Sequence, residues 1–144
     1  MSHIPVNHHL RPLYRALAGL IGVFLLAFGA VGFARAGGSS WFAEGDWTAL
    51  GLPTNRAFAV VSLLAGAVIL GAVVVGRNVD RFVNLYGGIA FLVAGTVWMP
   101  LSHTGMNIFN VTVANTIVSY IIGTVLLAAG LYGKVSTERT GATA

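Results

Sequence analysis

The chain has 144 residues, 56% of them hydrophobic and 8% charged, with no cysteine and a formal net charge of +4. Soluble domains carry roughly 25% charged residues, so this composition excludes an ordinary soluble fold, and the missing cysteines exclude disulfides and thiolate chemistry. The basic residues flank apolar runs and form no stripe, which argues against nucleic acid and for membrane topology with anionic lipid headgroups as partners.

In chain order, the amino-terminal segment holds His3, His8, His9, Arg11 and Arg15 ahead of an uncharged run, Ala16–Ala34. That run covers the ~30 Å of a bilayer's hydrocarbon and exceeds the roughly 7–15 residues of a signal-peptide core, although Ala34-Arg35-Ala36 fits a small-x-small cleavage pattern. It is apolar on every face. Helix is the fitting conformation, because each backbone N–H and C=O in lipid must be paired within the span, and the predicted helix covers about 13–34. The connection around GGSSWFAEGDW, with Trp41 and Trp47, is expected to lie on the outer membrane surface as an interfacial anchor.

Three further uncharged runs follow: Ala57–Gly76, Phe82–Met99 and Val111–Gly133. They predict helices at about 55–76, 80–99 and 111–133, in one membrane domain spanning 1–144. Arg77 and Arg81 sit in the second connection, and Lys134 and Arg139 follow the last helix. Arg11, Arg15, Arg77, Arg81, Lys134 and Arg139 therefore fall on one side of the membrane and only Arg35 and Arg56 on the other. The excess marks the cytoplasmic side. Both termini are expected there, in a multi-pass membrane protein, with Arg11, Arg15, Arg77, Arg81 and Lys134 at lipid headgroups. Trp41, Trp47 and Trp98 are expected at the opposite interface.

The spans repeat. Val60–Arg77 and Ile117–Lys134 align without gaps, with identities at Val61/Val118, Ser62/Ser119, Gly66/Gly123, Val68/Val125, Leu70/Leu127, Ala72/Ala129 and Gly76/Gly133. The first and third spans match more weakly, at Arg15/Arg81, Gly22/Gly88, Leu26/Leu92, Gly29/Gly95 and Val31/Val97. The predicted fold is all-α: a four-helix transmembrane bundle built from two parallel-repeated helical hairpins, 11–77 and 78–134, related by an axis along the membrane normal. Helices in lipid associate through small residues, so Ala18, Gly22, Ser62, Gly66, Ser119 and Gly123 are predicted to form the helix contacts. Gly76 and Gly133 are expected to end the second and fourth helices alike, in the left-handed conformation. Asn78 or Asp80 is expected to cap the third helix, and Arg77 to pair with Asp80.

Chemistry is sparse. No Asp, Glu, Lys or Arg lies inside a predicted span, which removes the membrane carboxylate a cation-coupled exporter needs. Nothing pairs a nucleophile with a base, so no catalytic residue and no enzyme activity is predicted. Ser62, Thr96, Thr116, Ser119 and Thr124 are expected to bond back to their own helices, and Asn84 and Asn115 to a neighbouring helix or to headgroups. No histidine lies in a span, which excludes a membrane haem. His3, His8 and His9 make only a weak metal set, since adjacent side chains point apart on a helix, and His103 stands alone in an outer loop. No metal or cofactor is predicted. Asn110-Val-Thr112 fits a glycosylation triplet that means something only in a eukaryotic secretory pathway.

The segments VNHHLRPLYRALAGLIGV, GRNVDRFVNLYGGIAFLVAG and GLYGKV resemble an uncharacterised family of small four-helix integral membrane proteins of actinobacteria, from whose pattern this chain departs at His9. The resemblance covers nearly the whole chain and implies the topology and an actinobacterial plasma membrane; the family has no established activity, so no site residues carry over. The expected function is that of a non-enzymatic accessory or structural subunit, or a self-associating membrane protein in a homo-oligomer or larger complex. The alternative is a small transporter or lipid-binding protein using the cleft between the hairpins.

Overall fold

A computed structural model describes residues 6–135. Four helices follow in order: α1 (Arg11–Ala36), α2 (Arg56–Val75), α3 (Val79–Leu101) and α4 (Val113–Leu131). All are long and apolar enough to cross a membrane, and the chain is a multi-pass, four-helix bundle. The helices run a residue or two beyond the predicted bounds or stop short of them. Pro12 lies in the first turn of α1, where a missing N–H costs nothing. The first connection also holds an unforeseen two-stranded ribbon, β1 (Thr48–Ala49) paired antiparallel with β2 (Leu52–Pro53). Gly51, at φ +82, lies in its turn.

Helices pack in sequential pairs, α1 on α2 and α3 on α4, with lighter contact between the pairs. Each pair closes on glycine. A Cβ on Gly66 would sit 2.8 Å from the Gly22 carbonyl oxygen, and one on Gly123 would sit 2.9 Å from that of Gly88. Leu26 flanks the first crossing and Leu92 the second. With no hydrophobic drive between helices in lipid, such backbone approach supplies the dispersion contact that holds a hairpin together. Between the hairpins the centre is filled by Ala18, Leu25, Ile69, Ile122 and Leu126.

Both ends of the described chain reach one end of the bundle, where the Asn7 N–H donates to the Lys134 carbonyl at 2.8 Å. The α2–α3 turn lies there too. Asn78 (φ +66) binds the backbone of Val135 in both directions, donating at 2.9 Å and accepting at 2.7 Å. Gly76 has φ +64, but Gly133 is not in the positive-φ region and α4 ends through Tyr132 at φ −100, so the two helices stop differently. Gly76 has to reverse the chain at once, whereas the residues after α4 run on to meet Asn7 and Asn78.

Asp80, 1% exposed in the first turn of α3, meets Arg11 Nη2 at 3.3 Å and Arg15 Nε at 3.5 Å. It does not pair with Arg77. Arg11 also donates to the Gly133 carbonyl at 3.1 Å and Arg15 to that of Val73. Arg11 and Arg15, expected at headgroups, thus neutralise a carboxylate inside the fold, which a buried charge demands; Arg15 keeps 37% of its side chain exposed. Neither Asn78 nor Asp80 caps α3 as expected: Asn78 occupies the cap position with its side chain on Val135, and Asp80 accepts from the next N–H, of Arg81.

Candidate functional site

The opposite end of the bundle carries both long connections, locked together by asparagines. Asn55, fully buried, caps α2 by accepting from Phe58 N at 2.9 Å, while its amide nitrogen donates to the carbonyls of Ala43 (3.2 Å) and Ile108 (2.8 Å). Asn110 donates to Gly45 and Thr54, each at 2.9 Å, and Asn115 donates to Pro53 at 2.9 Å while accepting from Thr112 N. Asn107 closes its own loop by accepting from and donating to Val111, each at 2.8 Å. A carboxamide donates and accepts at once, so each of these side chains joins strands of irregular backbone that would otherwise be unsatisfied when buried. The result is a tied roof over the helix ends.

Beneath the roof, between the two hairpins, lies a cavity of about 150 Å³. Rings from three of the four helices wall it: Phe24 and Phe28 of α1, Phe58 of α2, Phe91 and Trp98 of α3, with Phe109 from the loop above; α4 contributes aliphatic and small polar side chains. Phe109 joins them into a continuous aromatic run, 5.1 Å from the Trp98 ring and 5.8 Å from Phe58, which in turn lies 5.2 Å from Phe28. Leu52 of β2 and Val111 complete the roof. Of the lining residues only Val61 is exposed, at 48%, and it stands on the flank of α2. Buried and half-buried side chains thus form nearly all of its lining.

The wall is almost wholly apolar, and several hydroxyls and an indole N–H belong to the residues that form it. Ser119 donates across the hairpin to the Phe91 carbonyl at 2.7 Å, not to its own helix. Its aligned counterpart, Ser62, also lines the cavity but makes no hydrogen bond. Thr116, 2% exposed, has no partner for Oγ1, nor has Trp98 for Nε1. Among the expected back-bonding residues Thr96 behaves as foreseen, reaching Leu92 at 2.9 Å. Asn84, 2% exposed, leaves its side-chain oxygen without a partner.

The small residues Ala18, Gly22, Ser62, Gly66 and Gly123 are buried and Ser119 is half-buried, all within this one chain. Trp98, expected at the interface, is half-buried and lines the cavity, with its indole nitrogen buried. Trp41, 46% exposed, carries the Arg56 guanidinium 4.0 Å over its ring, with Phe33 behind it at 5.6 Å. The loop that holds Trp41 is bound down to α2, because the Ala57 N–H donates to the Trp41 carbonyl at 2.9 Å. Trp47 is half-buried and ties Thr54 N at 3.0 Å.

His8 and His9 stack at 4.5 Å rather than pointing apart, because the segment is not helical; His8 also lies 5.2 Å from Tyr132. Among the described residues no metal-binding group of His or acidic residues is found. His3 and Arg139 lie outside the described residues.

Sequence reasoning missed the aromatic cavity and the asparagine roof. The signal for the first was the recurrence of Phe24/Phe28 and Phe91/Trp98 at helical spacings; for the second it was the density of Asn in the loops. No protein-family model, curated protein or solved structure matches this chain.

Proposed function

We propose that this chain is a non-enzymatic protein of a bacterial plasma membrane that binds a membrane-soluble apolar molecule between its hairpins. The observation that carries the reading is the cavity itself. Well-packed interiors leave few voids, and here one of about 150 Å³ is walled by aromatic rings and topped by loop residues, with Val61 the exposed member of its lining. Such a pocket is fed from the bilayer. Transport of the same molecule from one leaflet to the other is a further step that the roof opposes, so binding is the primary role.

The two hairpins support a duplication: Gly22 and Gly66 meet as Gly88 and Gly123 do, at positions that the sequence alignment pairs. A duplicated hairpin joined by light contacts places a cleft on its axis, where repeat proteins of the membrane bind their ligands. The charge asymmetry of the connections supports cytoplasmic termini, and the resemblance to actinobacterial four-helix proteins agrees with that arrangement.

The test is extraction of the chain from native membranes into lipid nanodiscs, followed by mass spectrometry of retained small molecules. A species enriched over bulk lipid with the native chain, and lost with Ala65→Phe or Ala94→Phe, is the expected result, because both positions line the cavity. Retention of bulk lipid alone by all three proteins would sink the reading.

A further inference from the structure

If the inter-hairpin cavity binds an apolar molecule, as proposed above, the polar atoms of its walls set the guest's chemistry by their absence from the surface. Ser119 gives its proton to the Phe91 carbonyl at 2.7 Å. Asn115 donates to the Pro53 carbonyl at 2.9 Å and accepts from Thr112. Thr116 Oγ1 and Trp98 Nε1 have no partner, yet neighbouring atoms cover both almost completely, so they offer a guest nothing. Ser62 is 3% exposed as a whole residue. What faces the space is almost wholly carbon.

Such a surface rejects water as well as polar guests. A buried water needs roughly two to four polar partners, which this wall does not present. A guest with a hydroxyl or carbonyl would give up its hydrogen bonds on entry and find none to replace them. Size narrows the choice further. An apolar cavity of about 150 Å³ accepts one benzene-sized ring, and the volume here matches it. The rings of Phe24, Phe28, Phe58, Phe91, Trp98 and Phe109 line that space and supply dispersion contact to a compact guest. We propose that the cavity binds one compact hydrocarbon group, the size of a single ring and free of hydroxyl, carbonyl or charge. A small hydrocarbon dissolved in the bilayer and the ring-bearing end of a lipid tail share this chemistry.

Benzene, phenol and naphthalene separate these requirements. Each is titrated calorimetrically into the full chain in lipid nanodiscs, with the titration into empty nanodiscs subtracted. Affinities are referred to the probe's concentration within the lipid, which removes differences in partitioning. Benzene is expected to bind saturably, and phenol about tenfold more weakly, as the loss of one unreplaced hydrogen bond requires. Naphthalene, too large for the space, is expected to bind more weakly than benzene as well. Ala94→Phe and Ala65→Phe fill the cavity and should abolish benzene binding, with thermal unfolding showing which of the two folds. A fourth probe, n-decylbenzene, identifies the source: affinity near that of benzene assigns the end of a lipid tail and exclusion assigns a free hydrocarbon, both in accord with the proposal. Phenol or naphthalene binding as tightly as benzene overturns the proposal while the cavity remains a binding site. Benzene retained by a folded filled variant places it elsewhere and overturns the proposal too. Absence of saturable binding by all four probes removes both readings together.

Discussion

The glycine crossings give the sharpest test of how this bundle is held, through alanine substitutions at three helical glycines. On Gly88 a Cβ would lie 2.6 Å from Leu127 N, 2.8 Å from the Gly123 oxygen and 3.0 Å from Leu127 Cα. Ordinary contact begins at 3.4 Å, so the shortest of these falls short by about 0.8 Å, and every atom concerned is backbone. No rotamer can yield; α3 and α4 have to separate along their crossing, forfeiting dispersion on both sides. Overpacking of this kind costs about 1–3 kcal/mol, and an unyielding backbone places Gly88→Ala near about 3 kcal/mol. At the aligned Gly22 the nearest atoms are 3.1–3.2 Å away, a shortfall of a few tenths of an ångström, and Gly22→Ala is expected to cost about 1 kcal/mol. Gly71 has nothing within 4 Å, so Gly71→Ala gains helix propensity and stabilises by up to about 1 kcal/mol. The measurement is reversible unfolding in mixed micelles, followed by far-UV circular dichroism. Three equal effects, or Gly88→Ala within about 0.5 kcal/mol of Gly71→Ala, would refute the reasoning.

Other expectations follow from the polar contacts. Asp80→Ala leaves Arg11 and Arg15 facing each other without a counter-charge and is expected to cost about 2–3 kcal/mol, below the range for a fully buried pair because Arg15 is partly solvated; a loss under about 0.5 kcal/mol in the same unfolding assay would contradict this. Asn55→Ala removes a helix cap and two ties to loop carbonyls, so about 3 kcal/mol should go, with faster proteolysis in both connections as the accompanying readout. Ser119→Ala breaks a cross-helix bond and should cost about 1 kcal/mol, whereas Ser62→Ala, at the aligned position with no bond to lose, should leave stability unchanged. The chain has no native cysteine, so Gly38→Cys and Val6→Cys each create a unique thiol. An impermeant maleimide on intact cells should label the first and spare the second if the termini are cytoplasmic.

Much of the architecture was legible before any coordinates. Long uncharged runs have one stable conformation in hydrocarbon, so the spans could be placed to within a few residues. The glycines that later proved to touch, Gly66 and Gly123, stood out through small-residue spacing because in lipid nothing larger permits backbone contact. The polar calculus was less legible. Asp80 lies one turn from Arg77 in the chain, and local spacing pointed to that pair; the partners came from α1, sixty-nine positions away in the case of Arg11. The depth of Trp98 in its span points to the interface, but only the packing of α3 shows that its ring lines a cavity.

The chain by itself determined how many times it crosses the membrane, where, and which small residues meet, because those outcomes depend on solvation and on spacing within a single helix. Only the tertiary structure decided that Arg11 and Arg15 serve Asp80, that asparagines tie two loops into a roof, and that six aromatic rings surround an open space. Each of these depends on which face of one helix meets which face of another. That relation is fixed by packing between distant segments, and no local pattern of residues encodes it.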